Sequence, residues 1–459
     1  MSLSENQQKA FELFKQKKNL FITGPGGTGK THLIKLFYDY ANNNNRKIQV
    51  CALTGCAAIL LNCKATTIHS WSGIGLANGY NNNIIKKVVN NKYIKKRWNN
   101  IDILVIDEVS MMSKKVFNIL NEIAKQIRKN DKPFGGIQII LSGDFYQLPP
   151  VNTKSNDKDK DKDKDKDKDK DKDKDKDKDN DIDIEKTQFC FESEYWKQVI
   201  DNTIELTYNF RQNDNALVKI LNQIRVGKLT KSSYKKLLEC VDKKDLNLDI
   251  KATILFPVKK NVNIINNQQF NKLTTEIKTF NIKVEFEEDK LDSSITNNEK
   301  TFEANYLMNN IMAEKELHLR VGTQVMCIAN IDNLNDDINN PIVNGSQGII
   351  IDFKNNLPLV KFNNGSERLI NYHTWRSEKI DALSVSQIPL IYSWAITIHK
   401  AQGVSLDKAF IDIGKNIFEC GQTYVALSRI KSFDGLYLKN IDLNKIKINK
   451  KVYNFYNSL

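Results

Sequence analysis

Residues 24–31 read Gly-Pro-Gly-Gly-Thr-Gly-Lys-Thr and directly follow an apolar run at 20–22. A glycine-rich loop between a strand and a helix predicts a phosphate-binding site, because glycines let successive backbone N–H groups point at an anion. Lys30 is expected to reach the β- and γ-phosphates of a nucleotide, and the Thr31 hydroxyl to hold Mg²⁺. The loop residues expected to bind the nucleotide are Gly24, Gly26, Gly27, Thr28, Gly29, Lys30 and Thr31.

Composition narrows the class of protein. Apolar residues make up 40% of the 459 residues, which is typical of a globular chain. No apolar stretch approaches the roughly 18 residues of a membrane span, so we expect no membrane partner and no signal peptide. The formal net charge of +14 favours a polyanionic partner such as nucleic acid, although Lys- and Asn-rich chains without such a partner also carry it. The seven cysteines form no C-x-x-C pair, which predicts neither disulfides nor zinc and indicates a reducing compartment.

Strand-like apolar runs alternate with helical patterns in the first part of the chain. This rhythm predicts an α/β fold with a parallel sheet covered on both faces. The predicted strands of this first unit are 19–23, 48–53, 101–106 and 137–142. A second α/β unit is predicted from runs at 203–206, 253–257, 390–396 and 408–413.

Two segments interrupt these units. The stretch 262–385 carries short β-like runs joined by Asn/Asp/Gly turns, at 322–329, 348–353 and 357–362, which predicts a β-rich insertion in the second unit. The Asp-Lys alternation at 157–179 has no apolar residue to bury, which predicts a disordered loop within the first unit.

Two carboxylates follow the apolar run 103–106, which predicts a central strand. Asp107 would lie at the carboxyl end of that strand, where it would hold hydrated Mg²⁺, and Glu108 would act as the base that orients the attacking water. The next predicted strand leads into Gly-Asp-Phe-Tyr-Gln-Leu-Pro-Pro at 143–150, where Gln147 is placed to sense a γ-phosphate. The pattern therefore predicts a nucleotide hydrolase.

With these motifs the chain resembles the Pif1-like branch of superfamily 1 DNA helicases, to which RecD-type enzymes are related. The resemblance extends over essentially all of the chain outside the Asp-Lys tract, and the motifs occur in the family's order. Gln7, in the segment 3–7, resembles the glutamine that reads adenine. The other matching segments are 53–58 and 66–74 in the first unit, 205–212 with Arg211, 397–403, and 424–429 with Arg429.

The resemblance implies two RecA-like parallel-sheet domains with small insertions. It divides the chain into a first domain at 1–204 with a small insertion, a second at 205–261 and 386–459, and an inserted SH3-like β-barrel at 262–385. ATP and Mg²⁺ would bind between the two domains, with Lys30, Asp107, Glu108, Gln147, Arg211 and Arg429 as the catalytic set. The arginines would be supplied across the cleft, since a planar guanidinium binds phosphate bidentately.

The same resemblance implies 5′-to-3′ movement along single-stranded DNA and unwinding of tailed or structured duplex DNA by a monomer, in replication, repair, recombination or telomere maintenance. Groups that grip any sequence are hydroxyls, amides and stacking rings. The expected DNA-binding residues are Thr54, Gly55, Thr67, His69, Trp71, Phe145, Thr397, His399, Lys400, Gln402 and Gly403, with Tyr146 as a further stacking ring. The expected location is the nucleus or mitochondrion of a eukaryote, or a host cell if the source is viral.

Three other functions remain open at this level. The first is a nucleic-acid-stimulated ATPase that loads or remodels without unwinding. The second is an ATP-binding module that only tethers nucleic acid, and the third is an enzyme that acts on RNA or RNA–DNA hybrids. Glu108 argues against a pure binding module, which has no use for a base. Backbone and stacking contacts discriminate poorly between sugars, so RNA stays an alternative.

Overall fold

The structure is a computed structural model. It describes residues 3–459 except 62, 76, 78, 151–186, 242, 244–250, 291–294, 333–340, 378–379, 381 and 415. The Asp-Lys tract at 157–179 therefore lies outside the described residues. The helices in the described part of the chain are too short or too polar to span a bilayer.

The first unit is a six-stranded parallel sheet in the order β3-β2-β4-β5-β1-β6. Its strands are β1 (Leu20–Thr23), β2 (Ile48–Ala52), β3 (Thr66–Thr67), β4 (Ile103–Asp107), β5 (Gln138–Ser142) and β6 (Asn202–Glu205). Strands β1, β4 and β5 are buried along their whole length, as expected of central strands covered on both faces. The four strands predicted for this unit are confirmed.

One strand belongs to a different sheet from the one predicted. The run at 203–206 was expected to open the second unit, but β6 pairs in parallel with β1 at the edge of the first sheet. Only Ile204 of this strand is buried. The apolar pattern predicts the strand, whereas the choice of sheet depends on pairing with residues about 180 positions away.

Helices cover the first sheet on both sides. They are α1 (Glu5–Lys15), α2 (Lys30–Asn43), α3 (Gly55–Leu61), α4 (Ile68–Ser72), α5 (Asn81–Asn90), α6 (Lys92–Asn99), α7 (Lys114–Arg128) and α8 (Trp196–Val199). The longest, α7, begins at its N-cap Ser113, whose hydroxyl accepts a hydrogen bond from Val116 N. It buries Phe117, Leu120 and Ile123 in the core, at helical spacing.

The second unit contains a smaller parallel sheet in the order β18-β7-β19-β20. Its strands are β7 (Thr253–Phe256), β18 (Ala395–Thr397), β19 (Ala409–Ile413) and β20 (Leu436–Ile441). Its helices, with the C-terminal one, are α9 (Asn215–Arg225), α10 (Lys231–Leu238), α11 (Lys259–Asn271), α13 (Gln422–Leu427) and α14 (Lys450–Asn457). Both units are thus parallel-sheet α/β cores.

The insertion is β-rich, as predicted, and the structure shows that its strands pair antiparallel. Its main sheet has the order β14-β13-β12-β11-β17, and two smaller sheets have the orders β15-β16-β9 and β10-β8. The strands are β8 (Lys278–Asn281), β9 (Lys283–Phe286), β10 (Glu316–Leu319), β11 (Gln324–Cys327), β12 (Gln347–Lys354), β13 (Leu357–Phe362), β14 (Glu367–Leu369), β15 (His373–Arg376), β16 (Leu383–Gln387) and β17 (Leu390–Tyr392). The expected SH3-like closure stays a prediction. The insertion also carries helix α12 (Asn297–Asn310).

The predicted strand 390–396 is split in two. β17 pairs with β11 in the inserted sheet, and β18 pairs with β7 in the parallel sheet. The chain crosses between the sheets at Ser393 and Trp394, both buried. The sequence does not reveal this crossing, because the residues before it in β17 and after it in β18 are all buried or half-buried and form one continuous apolar run.

Helix α14 returns from the second unit to the first. Val452 is buried in the core formed by α7 and the first sheet. The Phe455 ring stacks on Phe191 with centroids 4.3 Å apart, and Tyr456 stacks on Tyr146 at 4.8 Å. The C-terminal helix therefore packs on the first unit, although the predicted division placed it in the second.

Candidate nucleotide and nucleic-acid site

The phosphate-binding loop lies between β1 and α2, in the predicted context. Lys30 is the first residue of α2, and its Nζ donates to the carbonyl oxygens of Gly24 at 2.7 Å and Pro25 at 2.9 Å. Gly29 has a φ of 82°, and a Cβ there would lie 2.6 Å from Nε2 of Gln7. Because both the backbone conformation and the close approach exclude a side chain, this glycine is required by the loop. Thr31 is exposed at the start of the helix.

Gln7 lies at one end of this loop. It is buried, forms a capping box with Ser4 at the start of α1, and its Nε2 donates to the Thr28 carbonyl oxygen at 3.4 Å. The Phe210 ring lies beside Gly29 and is 41% exposed. Gln7 and Phe210 therefore flank the loop. Sequence reasoning assigned Phe210 no role, although it lies in the matching segment 205–212.

The two predicted carboxylates lie at the end of β4. Asp107 is the last residue of the strand, and burial raises its pKa. Glu108 follows with a left-handed backbone, φ 56°. Burial, then the neighbouring Asp107 charge, raises the pKa of Glu108 to about 7, while Lys30 opposes this shift. The pair is thus held in a buried site where two cations, Lys30 and Arg429, partly offset two acids.

The two predicted arginines lie against the phosphate-binding loop. Arg211 Nη1 donates to the Ser428 carbonyl oxygen at 3.1 Å, and Arg429 Nε donates to the Val425 carbonyl oxygen at 2.9 Å. A Cβ on Gly26 would lie 3.4 Å from Nη1 of Arg211 and 3.3 Å from Nη2 of Arg429. Burial, then the charge of Arg211, lowers the pKa of Arg429 to about 9. Two adjacent guanidiniums at this loop form a site for an anion.

Three further residues join the loop to the arginines, and sequence reasoning assigned them no role. Asn209 Oδ1 accepts from Arg211 N at 2.8 Å, and its Nδ2 donates to the Gly26 carbonyl oxygen at 3.3 Å. The Tyr424 hydroxyl accepts from Gly26 N at 2.9 Å. Gln212 Nε2 donates to the carbonyl oxygens of Ser428 at 3.1 Å and Ile430 at 2.9 Å. Their presence inside the quoted motifs was the only available signal.

A buried ion pair connects the loop 143–150 to the second unit. Arg225, at the end of α9, donates from Nε to Asp144 Oδ2 at 2.9 Å and from Nη2 to Oδ1 at 3.0 Å. Burial disfavours the charged guanidinium, but Asp144 more than offsets this and the pKa of Arg225 is raised. The rings of Tyr146 and Tyr456 lie 4.8 and 5.4 Å from the guanidinium carbon. Gln147 lies in the same loop and is buried.

The predicted strand-gripping motifs of the first unit lie under helix α12 of the insertion. The Thr67 hydroxyl lies 2.8 Å from the Tyr306 hydroxyl, and a Cβ on Gly55 would lie 2.1 Å from Asn310 Oδ1. Thr54 Oγ1 accepts from Ala57 N at 3.2 Å at the start of α3. The structure thus brings Thr54, Gly55 and Thr67 to one surface, which α12 contacts.

The contact of α12 with this surface gives a testable expectation. Tyr306→Phe removes the hydroxyl that pairs with Thr67 and is expected to strengthen binding of single-stranded DNA by up to about fivefold, the value of one hydrogen bond. Fluorescence anisotropy with a labelled oligodeoxynucleotide measures this. The control Tyr234→Phe, on α10, is expected to leave affinity unchanged. Weaker binding by Tyr306→Phe would show instead that the hydroxyl contacts DNA.

The second predicted DNA-binding segment is the loop that follows β18. Thr397 Oγ1 accepts from Lys400 N at 3.1 Å, and the His399 side chain is exposed. Gly403 has a φ of 80°, and a Cβ there would lie 3.2 Å from Cδ1 of Leu60 on α3. Gln402 Nε2 donates to Glu108 Oε2 at 2.9 Å. This loop therefore contacts both α3 and the end of β4.

The expected stacking rings are corrected by the structure. Trp71 and Phe145 are 5% and 2% exposed. Trp71 packs on Trp98 with ring centroids 4.6 Å apart, and Phe145 packs edge-on against Phe191 at 4.8 Å. Tyr146 is likewise buried, against Tyr456. Large rings are buried where the core offers space, so these three fill the core beneath the motifs instead of facing a strand. His69 is half-buried, and burial lowers its pKa.

One stretch of the first unit contains basic residues but no acidic ones. Residues 40–101 contain no Asp or Glu. Their cations are Arg46, Lys47, Lys64, Lys86, Lys87, Lys92, Lys95, Lys96 and Arg97. On α6, Lys92, Lys95 and Lys96 are exposed beside Tyr93, whose side chain is 81% exposed. We call these four residues the α6 basic surface. Its charge suits a phosphate backbone.

This surface is expected to contribute to nucleic-acid affinity. The double variant Lys95→Glu/Lys96→Glu is expected to weaken DNA binding about tenfold at low salt and to reduce the slope of log K against log salt by about 1 to 2, because each phosphate contact releases counterions. The control Lys231→Glu/Lys235→Glu makes the same charge change on exposed residues of α10. Equal losses in both pairs would indicate a general charge effect instead of a defined surface.

Comparisons with known proteins agree with this geometry. A family model described as PIF1-like helicase matches residues 2–165, and one described as DNA helicase Pif1, 2B domain, matches residues 304–353. The Saccharomyces cerevisiae ATP-dependent DNA helicase RRM3 is 30% identical over 100% of this chain and 68% of its own length. The chain belongs to the PIF1-like helicase family.

Other PIF1-like relatives show the same extent of match. The Emericella nidulans ATP-dependent DNA helicase PIF1 is 32% identical over 96% of this chain and 61% of its own length. The chain thus spans between 61% and 68% of the length of these two relatives.

Solved PIF1-like structures share the whole fold. The crystal structure of the Candida albicans Pif1 helicase is 31% identical, with a TM-score of 0.71, and the match covers 100% of this chain and 99% of that one. Unliganded Pif1 from Bacteroides sp is 27% identical with a TM-score of 0.75, and Bacteroides Pif1 bound to ssDNA is 26% identical with a TM-score of 0.62; both matches cover 100% of this chain and 97% of the other. By TM-score the chain is more similar to the unliganded structure than to the one bound to ssDNA.

Proposed function

We propose that this protein is an ATP-dependent DNA helicase that moves 5′-to-3′ on single-stranded DNA and unwinds tailed or structured duplexes. The observation that carries the proposal is the placement of Arg211 and Arg429 on the phosphate-binding loop, opposite Asp107 and Glu108. Relatives named as ATP-dependent DNA helicases and a neighbour bound to ssDNA support it. Of the segments expected to grip DNA, the loop after β18 contacts this site through the bond of Gln402 to Glu108.

The residues present fit a nucleoside triphosphate and Mg²⁺. The loop glycines leave room that a Cβ would fill, and among the described residues neither Arg211 nor Arg429 forms an ion pair. Lys30 and the loop N–H groups would hold the phosphates, with Gln7 and Phe210 at the adenine. Thr31 and Asp107 would hold Mg²⁺, which supplies neutralisation of phosphate charge when bound.

Glu108 would act as the general base. A glutamate whose pKa is raised to about 7 accepts a proton more readily than an exposed one, and the water it deprotonates attacks the terminal phosphate. Arg211 and Arg429 would stabilise the charge that develops on the transferred group. Because Arg429 is held by its Nε bond to Val425, its fork is positioned before the reaction. Gln147 would sense the γ-phosphate and couple its presence to the position of the loop 143–150.

Movement would follow from closure of the cleft. Nucleotide binding draws the second unit toward the first through the arginines, and hydrolysis releases it. The Asp144–Arg225 pair would keep the units joined through this motion. Thr54, Gly55, Thr67 and His69 would grip the strand in the first unit. Thr397, His399, Lys400, Gln402 and Gly403 would grip it in the second, and alternation of the two grips gives translocation.

We further propose the domain boundaries, the oligomeric state and the cellular location. The domains are 1–204, then 205–261 with 386–459, then the inserted 262–385 with an SH3-like barrel. The monomer is the minimal unit, although one neighbour is described as two coordinating Pif1 helicases at forked dsDNA. The protein acts where DNA is maintained, in the nucleus, a mitochondrion or a virus-infected cell.

ATP hydrolysis measured with and without single-stranded DNA tests the proposal. The wild-type chain is expected to hydrolyse ATP faster with DNA than without it, whereas Lys30→Ala is expected to hydrolyse ATP in neither condition. Stimulation by RNA alone would move the substrate class to RNA. A rate of ATP hydrolysis that neither DNA nor RNA changes would contradict the proposal.

A further inference from the structure

The hydrogen bond between Gln402 and Glu108 joins the candidate base to a DNA-binding loop. The two residues are 294 positions apart, and the Nε2–Oε2 distance is 2.9 Å. Gln402 lies in the second unit, in the loop after β18, whereas Glu108 follows β4 in the first. The bond therefore crosses the cleft that the nucleotide is proposed to occupy.

Glu108 is held in an unusual position. Its backbone is left-handed, which costs a residue with a side chain on the order of 1–3 kcal/mol and persists only where surrounding contacts maintain it. The charged groups that face its carboxylate are Asp107, Lys30, Arg211 and Arg429. In the described part of the chain, the side-chain hydrogen bond that this carboxylate accepts comes from Gln402.

The loop that carries Gln402 also contacts the first unit's strand-gripping helix. Gly403, the next residue, approaches Leu60 on α3, and α3 begins at the Thr54–Gly55 motif. His399 is exposed and Lys400 is half-buried in the same loop. A strand that binds these groups would meet the loop directly. By TM-score the chain is more similar to unliganded Bacteroides Pif1, at 0.75, than to Bacteroides Pif1 bound to ssDNA, at 0.62.

We propose that Gln402 is a positioning residue that holds Glu108 away from water in the DNA-free protein and releases it when DNA engages the loop. This inference rests on the proposed function and adds to it the route by which DNA controls hydrolysis. An amide that donates to Oε2 fixes the orientation of the carboxylate and takes up one of the sites at which it could accept a hydrogen bond from the attacking water. Displacement of the loop by a bound strand breaks this bond, and the proton then passes from water to Glu108 without any further group.

The test uses the full chain with Gln402→Met, which keeps the side-chain length and removes the donor. The kcat for ATP without DNA is expected to rise about tenfold, the typical effect of one hydrogen bond to a charged group, with the KM for ATP unchanged. The kcat at saturating single-stranded oligothymidylate is expected to match the wild type, so the stimulation by DNA falls about tenfold. Gln402→Ala is a second variant with the same expectation. The control is Gln198→Met, on the exposed side of α8.

Each outcome decides between the claims. A rise of DNA-independent kcat in both Gln402 variants supports the inference, because damage to the fold lowers kcat instead of raising it. Unchanged DNA-independent kcat with weaker DNA binding overturns it and leaves Gln402 as a DNA contact only. A wild type that hydrolyses ATP without any response to DNA overturns the proposed function as well. The two failures are therefore separable.

Discussion

Glu108→Gln is expected to retain ATP binding and to lose hydrolysis by about 10²–10⁴-fold, the usual contribution of a positioned general base. Glu108 follows the buried strand β4 beside Asp107, faces Lys30 and Arg429, and has a pKa raised by burial to about 7. Glutamine keeps the shape and still pairs with Gln402 but cannot accept a proton. Binding is measured with a fluorescent ATP analogue, and hydrolysis by phosphate release at saturating DNA.

Glu239→Gln provides the matched control for this substitution. Glu239 is exposed at the end of α10, so the same chemical change there is expected to alter neither binding nor turnover. Near-normal turnover by Glu108→Gln would remove the base assignment, since no other carboxylate in the described residues follows β4 with this placement. Loss of nucleotide binding would assign Glu108 to binding instead of proton transfer.

Arg429→Ala is expected to reduce ATP hydrolysis by about 10³–10⁵-fold while nucleotide affinity changes far less. The guanidinium lies against Gly26 beside Arg211, and both are placed for charge that develops on the transferred phosphate. Arg211→Ala is expected to show a loss of the same order. Single-turnover hydrolysis at saturating ATP measures the chemical step directly.

Loss of stability is checked separately from loss of hydrolysis. Removal of Arg429 relieves its repulsion with Arg211, but it also leaves a cavity and takes the donor from the Val425 carbonyl oxygen, so thermal unfolding of each variant is measured beside its hydrolysis. Arg429→Lys keeps a charge without the fork and is expected to fall between the wild type and Arg429→Ala. Arg368→Ala, in the inserted sheet, controls for loss of an arginine. Equal hydrolysis by Arg429→Ala and the wild type would exclude this residue from the site.

The sequence predicts those parts of the site that are local in the chain. The loop 24–31 and the pair Asp107–Glu108 each follow a buried strand, so a few adjacent residues define their chemistry and their place at the edge of the sheet. The alternation of strands and helices likewise predicts the parallel sheets. These features depend on neighbours within one element, which a linear pattern records.

Contacts between distant segments could not be predicted in this way. Tyr424 on Gly26, Arg225 on Asp144 and Gln402 on Glu108 each join residues more than 80 positions apart, and nothing near either partner marks the other. The burial of Trp71 and Phe145 had the same cause. Both rings lie in motifs expected to face DNA, and only the packed core shows that they lie beneath it.

Strand displacement on two duplexes that differ only in the polarity of their single-stranded tail tests the central claim most directly. With ATP and Mg²⁺, the wild type is expected to displace the strand from the 5′-tailed duplex and not from the 3′-tailed one, whereas Lys30→Ala displaces neither. Displacement from the 3′-tailed duplex would contradict the proposed direction. ATP hydrolysis stimulated by DNA, with no displacement from either duplex, would contradict helicase activity and favour a loader or remodeller.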